Sequence, residues 1–255
     1  MTTFSFDRAA KYYDATRSLP DRQMRELVEL LIREIGSGPV LEVGVGTGRI
    51  AVPLMQRGVE IFGLDISVEM IGRMLRKSFD HDLLHVALAD ATRLPFADNT
   101  FPIALGVHVL HLIPAWREVC EEVARVLRPQ GTFFVDYGGW GGVVWEAIQM
   151  HFVKITDLER PRPGAASPQE VEAHMAALGA TAHKLPSIST PSTSTYSELL
   201  DRIRDGMYSF TWTLDENARA RGADETRRWA EQTYGDLDAP RDMEWVISIT
   251  AYQMP

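Results

Sequence analysis

One cysteine, Cys120, in 255 residues excludes an internal disulfide and a cysteine-based zinc cluster, so nothing in the chain calls for an oxidising compartment. No apolar run approaches the roughly 20 residues that span a bilayer, and the N-terminus lacks the basic flank and apolar stretch of a secretory leader. Nor is there a dense lysine or arginine cluster. The 26 basic residues stand against 35 acidic ones, and a net charge of −9 argues against a nucleic-acid backbone as partner. Internal repeats and low-complexity tracts are missing too. The expectation is a cytoplasmic, metal-free chain with no membrane span. What the sequence does have is core: 45% hydrophobic residues, over a length that α/β sheets commonly fold as one domain.

The chain is organised around Val40-Leu41-Glu42-Val43-Gly44-Val45-Gly46-Thr47-Gly48-Arg49-Ile50. An apolar, β-leaning run stops at three alternating glycines, and Ile50, Ala51, Leu54 and Met55 then recur at helical spacing, which reads as strand, tight turn and helix. Gly44, Gly46 and Gly48 suit such a turn because glycine accepts positive φ and lets a ligand approach bare backbone beside a helix N-terminus. The dinucleotide fingerprint G-x-G-x-x-G would want its third glycine at position 49, where Arg49 stands. A second short strand ends at Asp65, placed to accept hydrogen bonds from both ribose hydroxyls of a nucleoside. After the apolar run 84–88, Asp90 is placed to receive the exocyclic amine of an adenine.

These residues, with Gly63-Leu64-Asp65-Ile66-Ser67, Asp90-Ala91 before Leu94-Pro95-Phe96, and Val123-Ala124-Arg125-Val126-Leu127-Arg128-Pro129-Gln130-Gly131, resemble a class I S-adenosylmethionine-dependent methyltransferase. The subgroup is the one that includes the ubiquinone and menaquinone biosynthesis methyltransferases. The resemblance covers residues 40–137 and implies S-adenosylmethionine as cofactor. It also implies an open, seven-stranded, mostly parallel Rossmann-like sheet with helices on both faces and an antiparallel last strand. It places Glu42, Ile66 and Ala91 inside cofactor motifs and brings the backbone of Val107 to the methionine end. The opening Phe6-Asp7…Tyr13-Asp14…Arg17 resembles segments that fold over the cofactor, so Tyr13 and Arg17 either close the pocket or dock the segment on the sheet. The family usually has an acid where Pro102 stands, a departure that alters the entry of the fourth strand.

Ser67 is placed to cap the helix that carries Met70, and Met70 either lines the pocket or fills the core. One residue past Val107, a neutral His108 imidazole is placed to take a proton from an acceptor hydroxyl or amine, the alternative being plain packing; His111 is a lesser candidate. Tyr137 and Trp140, in a glycine-rich loop, are acceptor-side candidates or fasteners of that loop.

The expected layout is one domain: an N-terminal cap at 1–20, a cofactor-binding core at 36–137, lid insertions at 138–167 and 191–240, and a last strand at 245–252. A sixth strand is expected at 181–190, and helices at 196–207 and 214–234, the second interrupted by Gly222. The expected reaction is methyl transfer to a small-molecule acceptor. Two alternatives stay open: a non-catalytic module that holds S-adenosylmethionine, and a nucleotide-dependent oxidoreductase using the same crevice.

Overall fold

The computed structural model describes residues 6–7, 10–11, 13–14, 19–78, 82–137, 142–158 and 163–255. Arg17 and Trp140 lie outside them. Among the described residues, seven strands make one sheet in the order β3-β2-β1-β4-β5-β9-β6. These are β1 (Val40–Val43), β2 (Ile61–Asp65), β3 (Leu84–Leu88), β4 (Phe101–Val107), β5 (Leu127–Asp136), β6 (Thr181–Lys184) and β9 (Ile249–Gln253). The pairings β1 with β2, β2 with β3, β1 with β4 and β4 with β5 are parallel, and β9 runs antiparallel to both β5 and β6. The last strand is therefore antiparallel, as the resemblance implies. Because the order reverses beside β1, a crevice opens at the carboxyl ends of β1 and β4, where the glycine turn lies.

Both faces of the sheet are covered. Leu41, Val43, Ala104, Phe133 and Val135 pack with Val119, Cys120 and Val123 of α4 (Trp116–Val126) and with Val171 and Met175 of α6 (Pro168–Ala177). Alternate residues Val40, Ile103, Leu105 and Phe134 point the other way, onto Leu27 and Leu31 of α1 (Asp21–Ile35) and Leu54 of α2 (Ala51–Met55). This two-sided burial is why β1 is buried along its whole length and reads as an unbroken apolar run apart from Glu42. Cys120 is fully buried and its thiol is pushed up to about 12 by that burial, so it packs and does not react.

The motifs around residues 94 and 125 belong to one scaffold. Arg125 donates to the carbonyls of Leu94 (3.2 Å) and Phe96 (2.9 Å) and pairs with Glu122 (2.7 Å), while Leu94 N–H donates to Glu122 (2.8 Å). That brace holds the loop carrying Asp90 against α4.

Two expected strands break. The stretch 181–190 divides into β6 and β7 (Ile188–Ser194), with Pro186 between them unable to donate a ladder bond. The stretch 245–252 divides at Ser248 into β8 (Arg241–Ile247) and β9, and Ser248 Oγ meets Ser187 Oγ at 3.1 Å, so the breaks fall side by side. Strands β7 and β8 form their own two-stranded ribbon.

By contacts the chain makes two compact units. One comprises residues 1–138, 164–188 and 247–255, and the other 139–163 and 189–246. The two expected insertions thus fold together as one unit, where the sequence layout has a single domain. Its core is Trp145, Ile148 and Phe152 of α5 (Gly142–Ile155) with Leu199, Leu200 and Ile203 of α7 (Tyr196–Arg204) and Ala223 and Ala230 of α8 (Glu216–Tyr234). Gly222 does not interrupt α8. A Cβ there would meet Thr156 Cγ2 at 2.4 Å and Phe152 Cε2 at 2.9 Å, so glycine lets α5 and α8 approach. No helix among the described residues is long and apolar enough to cross a membrane.

Candidate functional site

The turn after β1 places Gly44, Gly46 and Gly48 at φ +70°, +56° and +76°. Their surroundings differ. A Cβ on Gly44 would meet Val109 Cγ2 at 2.5 Å, and one on Gly48 would meet Met74 Cγ at 2.5 Å, whereas one on Gly46 would find nothing nearer than a carbonyl at 3.9 Å. Gly44 and Gly48 are packed from within, and Gly46 leaves its backbone open to the crevice. Asp65, at the end of β2, accepts from Gly46 N–H through one carboxylate oxygen and from Ser67 N–H through the other, both at 2.8 Å. Burial pushes its carboxyl upward and these backbone donors pull it back. Ser67 Oγ accepts from Met70 N–H at 3.2 Å, the cap expected for α3 (Val68–Ser78).

A cleft of about 750 Å³ opens over this turn, entirely within the first unit. Gly44, Gly46, Asp65 and Ile66 form one end. Asp90 and Ala91 line it beyond β3; Asp90 Oδ1 accepts from Thr92 N–H and Thr92 Oγ at 2.9 Å, which orients the carboxylate. Met70 meets both alternatives, since it lines the cleft and is 2% exposed. Val107, His108, Val109, Leu112 and Ile113 make the far end, and Phe6 and Tyr13 from the N-terminal segment also line the cleft.

Glu42 lies one layer back, in a smaller hollow of about 240 Å³ shared with Tyr13, Thr47 and Arg49. It is 3% exposed, and burial pushes its carboxyl up to about 8, with Arg49 pulling down and Asp65 pushing up. Its Oε2 has no hydrogen-bond partner, an orphaned buried acceptor beside the crevice. Gly48 lines neither hollow and serves the turn alone.

His108 is held at φ +61°, a left-handed conformation that costs energy in a side-chain-bearing residue. Its N–H donates to the Asp136 carbonyl at 2.9 Å, and its Nδ1 lies 3.9 Å from Asp136 Oδ2, an acid that is 4% exposed at the end of β5. The His111 ring meets it edge-on at 5.0 Å. Tyr137 departs from expectation. It sits in the core beside Val135 and Tyr252, 7% exposed, its hydroxyl pushed up by burial, and it does not line the cleft.

Sequence reasoning missed Asp136 and the latch of the N-terminal segment. Asp7 accepts from Ser67 Oγ and from Glu69 N–H (3.3 Å); Asp14 accepts from Thr47 Oγ (2.6 Å) and pairs with Lys77. The pattern Phe-Asp…Tyr-Asp carried that signal, with each acid next to an aromatic that lines the cleft.

The cleft suits an adenosine-bearing cation. The donor-hungry groups around it are carboxylates, the orphaned Glu42 oxygen awaits a donor such as an ammonium, and no lysine or arginine appears among the described residues lining the larger hollow.

A family model described as a methyltransferase domain matches residues 41–135. A demethylmenaquinone methyltransferase of Renibacterium salmoninarum is 33% identical over 134 residues, 51% of this chain and 55% of that protein. The ubiquinone/menaquinone biosynthesis C-methyltransferase UbiE of Desulfotalea psychrophila is 34% identical over 133 residues, 49% of this chain and 53% of that one. The crystal structure of the YcgJ protein of Bacillus subtilis matches 91% of this chain and 99% of its own with a TM-score of 0.63 at 18% identity, a likeness of fold. The chain spans from a third to just over half the length of the curated relatives it matches.

Proposed function

We propose that this chain, whose residues 41–135 match a methyltransferase domain, is a class I S-adenosylmethionine-dependent methyltransferase that carries the methyl group of that cofactor to a small, largely apolar acceptor in the cytoplasm. When bound, the cofactor supplies a methyl already activated on a sulfonium, so the protein's work is alignment and exclusion of water. Asp65 supports the ribose through the acceptor capacity that Gly46 and Ser67 leave on its oxygens. Asp90 would receive the adenine amine, and Ile66, Met70 and Ala91 would line the space for the base. Glu42 accepts the ammonium with its unpartnered oxygen, while Gly46 presents bare backbone. Tyr13 shares both hollows and closes the near side; Arg17 is assigned with it on the resemblance alone.

The acceptor end is apolar apart from one group. Val107, Val109, Leu112 and Ile113 favour a hydrophobic body, in keeping with the quinones in the relatives' names, and His108 takes a proton from the nucleophile. Asp136 acts through His108, orienting the imidazole and stabilising its protonated form. The single observation that carries the reading is Asp65, half-buried at the end of β2, bonded to the glycine turn and lining the cleft.

The test is incubation with methyl-labelled S-adenosylmethionine and a panel of phenols, quinols, amines and carbon acids. Label in an acceptor with stoichiometric S-adenosylhomocysteine supports the reading. Cofactor binding without turnover on any acceptor would make the chain a holding module, and retention of NADH instead would favour the oxidoreductase alternative.

A further inference from the structure

The second unit contains a hollow that methyl transfer leaves unexplained. It measures about 520 Å³ and is bounded by Trp145 of α5, Tyr208, and Met243 and Trp245 of β8, with Glu198 and Arg202 of α7 in its wall. It opens to the surface, with Thr193 and Glu198 exposed at its edge and Trp145 and Tyr208 buried in its floor. The rings are fixed. Trp145 and Tyr208 have centroids 5.1 Å apart, and Trp245 Nε1 donates to Ser192 Oγ at 2.7 Å.

The charges in the wall are unequal in what they have left to give. Glu198 Oε2 accepts from Ser194 Oγ (2.6 Å) and from Thr195 N–H (3.3 Å), completing the box that caps α7, and these bonds hold its carboxyl below the usual range. Arg204 pairs with Asp224 at 2.9 Å and Arg227 with Asp201 at 2.7 Å. The half-buried Arg202 side chain makes no hydrogen bond and no ion pair within 4 Å to another described residue; its charge reaches Glu198 and helps hold that carboxyl low.

We propose that this hollow is a ligand site in its own right, which takes a flat aromatic molecule bearing a carboxylate. The rings of Trp145, Tyr208 and Trp245 favour a planar body by offset and edge-on packing. The Arg202 guanidinium matches a carboxylate with two parallel N–H donors. A polyphosphate would need several cations where the wall offers one. Ser192, Thr193 and Ser194 add hydroxyls for ring substituents.

The probe is 2-naphthoate, titrated by calorimetry into the full chain saturated with S-adenosylhomocysteine, beside its neutral counterpart 2-naphthamide. The acid is expected to bind once per chain and about tenfold more tightly than the amide. Arg202→Gln is expected to erase that difference, and Arg202→Glu to reverse it in favour of 2-naphthylmethylammonium; unchanged melting curves establish that both variants fold. Asp65→Ala, which damages the cofactor cleft, is expected to keep naphthoate binding. No saturable binding, equal binding of acid and amide, Arg202 variants that bind the acid like wild type, or displacement of naphthoate by S-adenosylhomocysteine would each overturn the proposal.

Discussion

The two ends of the cleft are built in opposite ways. At the adenosine end the carboxylates are seated by backbone and hydroxyl donors: Asp65 by the N–H two residues on and by the turn after the neighbouring strand, and Asp90 by Thr92. At the acceptor end the one titratable side chain, His108, takes its backbone bond and its carboxylate neighbour from Asp136 on the adjacent strand and sits at a strained φ of +61°. One end is a mould in which each carboxylate is held by direct hydrogen bonds, most of them local. The other is an assembly that needs the sheet register, in which Val107 pairs with Asp136. A mould holds a ligand common to a family, whereas an assembled end can change with the acceptor.

The sharpest break between the two ends should come from His108→Gln. Turnover of a proton-bearing acceptor is expected to fall by about 10²–10³-fold in kcat, with the dissociation constant for S-adenosylhomocysteine unchanged within about threefold. Equal losses in both would mean that the ends are not separable. At the mould, Gly46→Ala has space for its methyl but keeps a positive φ, so it is expected to weaken S-adenosylhomocysteine by about tenfold or more while the protein still folds. Gly48→Ala drives a methyl into Met74 and Val52 and is expected to lower the melting temperature more than it lowers affinity. Calorimetry and thermal melts on the pair separate these outcomes.

Asp136→Asn should cost kcat about tenfold and leave the KM for the cofactor unchanged, since the acid acts through the imidazole.

Glu42 gives the smallest effect and a pH signature. Its folded carboxyl titrates near 8 against an ordinary 4.5, so its protonated form is the one that burial favours. The stability tied to that proton is complete below about pH 4.5 and is lost as pH rises to about 8. Glu42→Gln cannot ionise. Relative to wild type it is expected to gain about 1–3 kcal/mol of unfolding free energy between pH 5 and pH 8, measured by urea titration of the cofactor-free protein. If the ionised form holds the ammonium, wild-type affinity for S-adenosylhomocysteine should rise by about tenfold from pH 6.5 to 8 and stay flat in the variant.

What could be read in the sequence follows the same division. The glycine turn, Asp65, Asp90 and the Ser67 cap were legible because their partners lie within a few residues or at the end of the next strand in a known topology. The antiparallel β9 was legible only through family resemblance. Asp136 was not, because nothing local distinguishes an acid that closes a buried strand from one that faces solvent. Tyr137 misled for the same reason: a glycine-rich loop follows it, yet the alternation of β5 carries its ring into the core. The inserted unit was visible as two excess lengths of chain, but its common core joins residues nearly fifty positions apart, such as Phe152 and Leu200, and periodicity carries no signal over that distance.

The central claim is that a carboxylate at the end of β2 clamps both the glycine turn and the nucleoside. Calorimetric titration of S-adenosylhomocysteine into wild type and Asp65→Ala tests it directly. The account predicts one site per wild-type chain and a dissociation constant at least about a hundredfold weaker in the variant. No heat from wild type, or equal affinity in the two proteins, would contradict it.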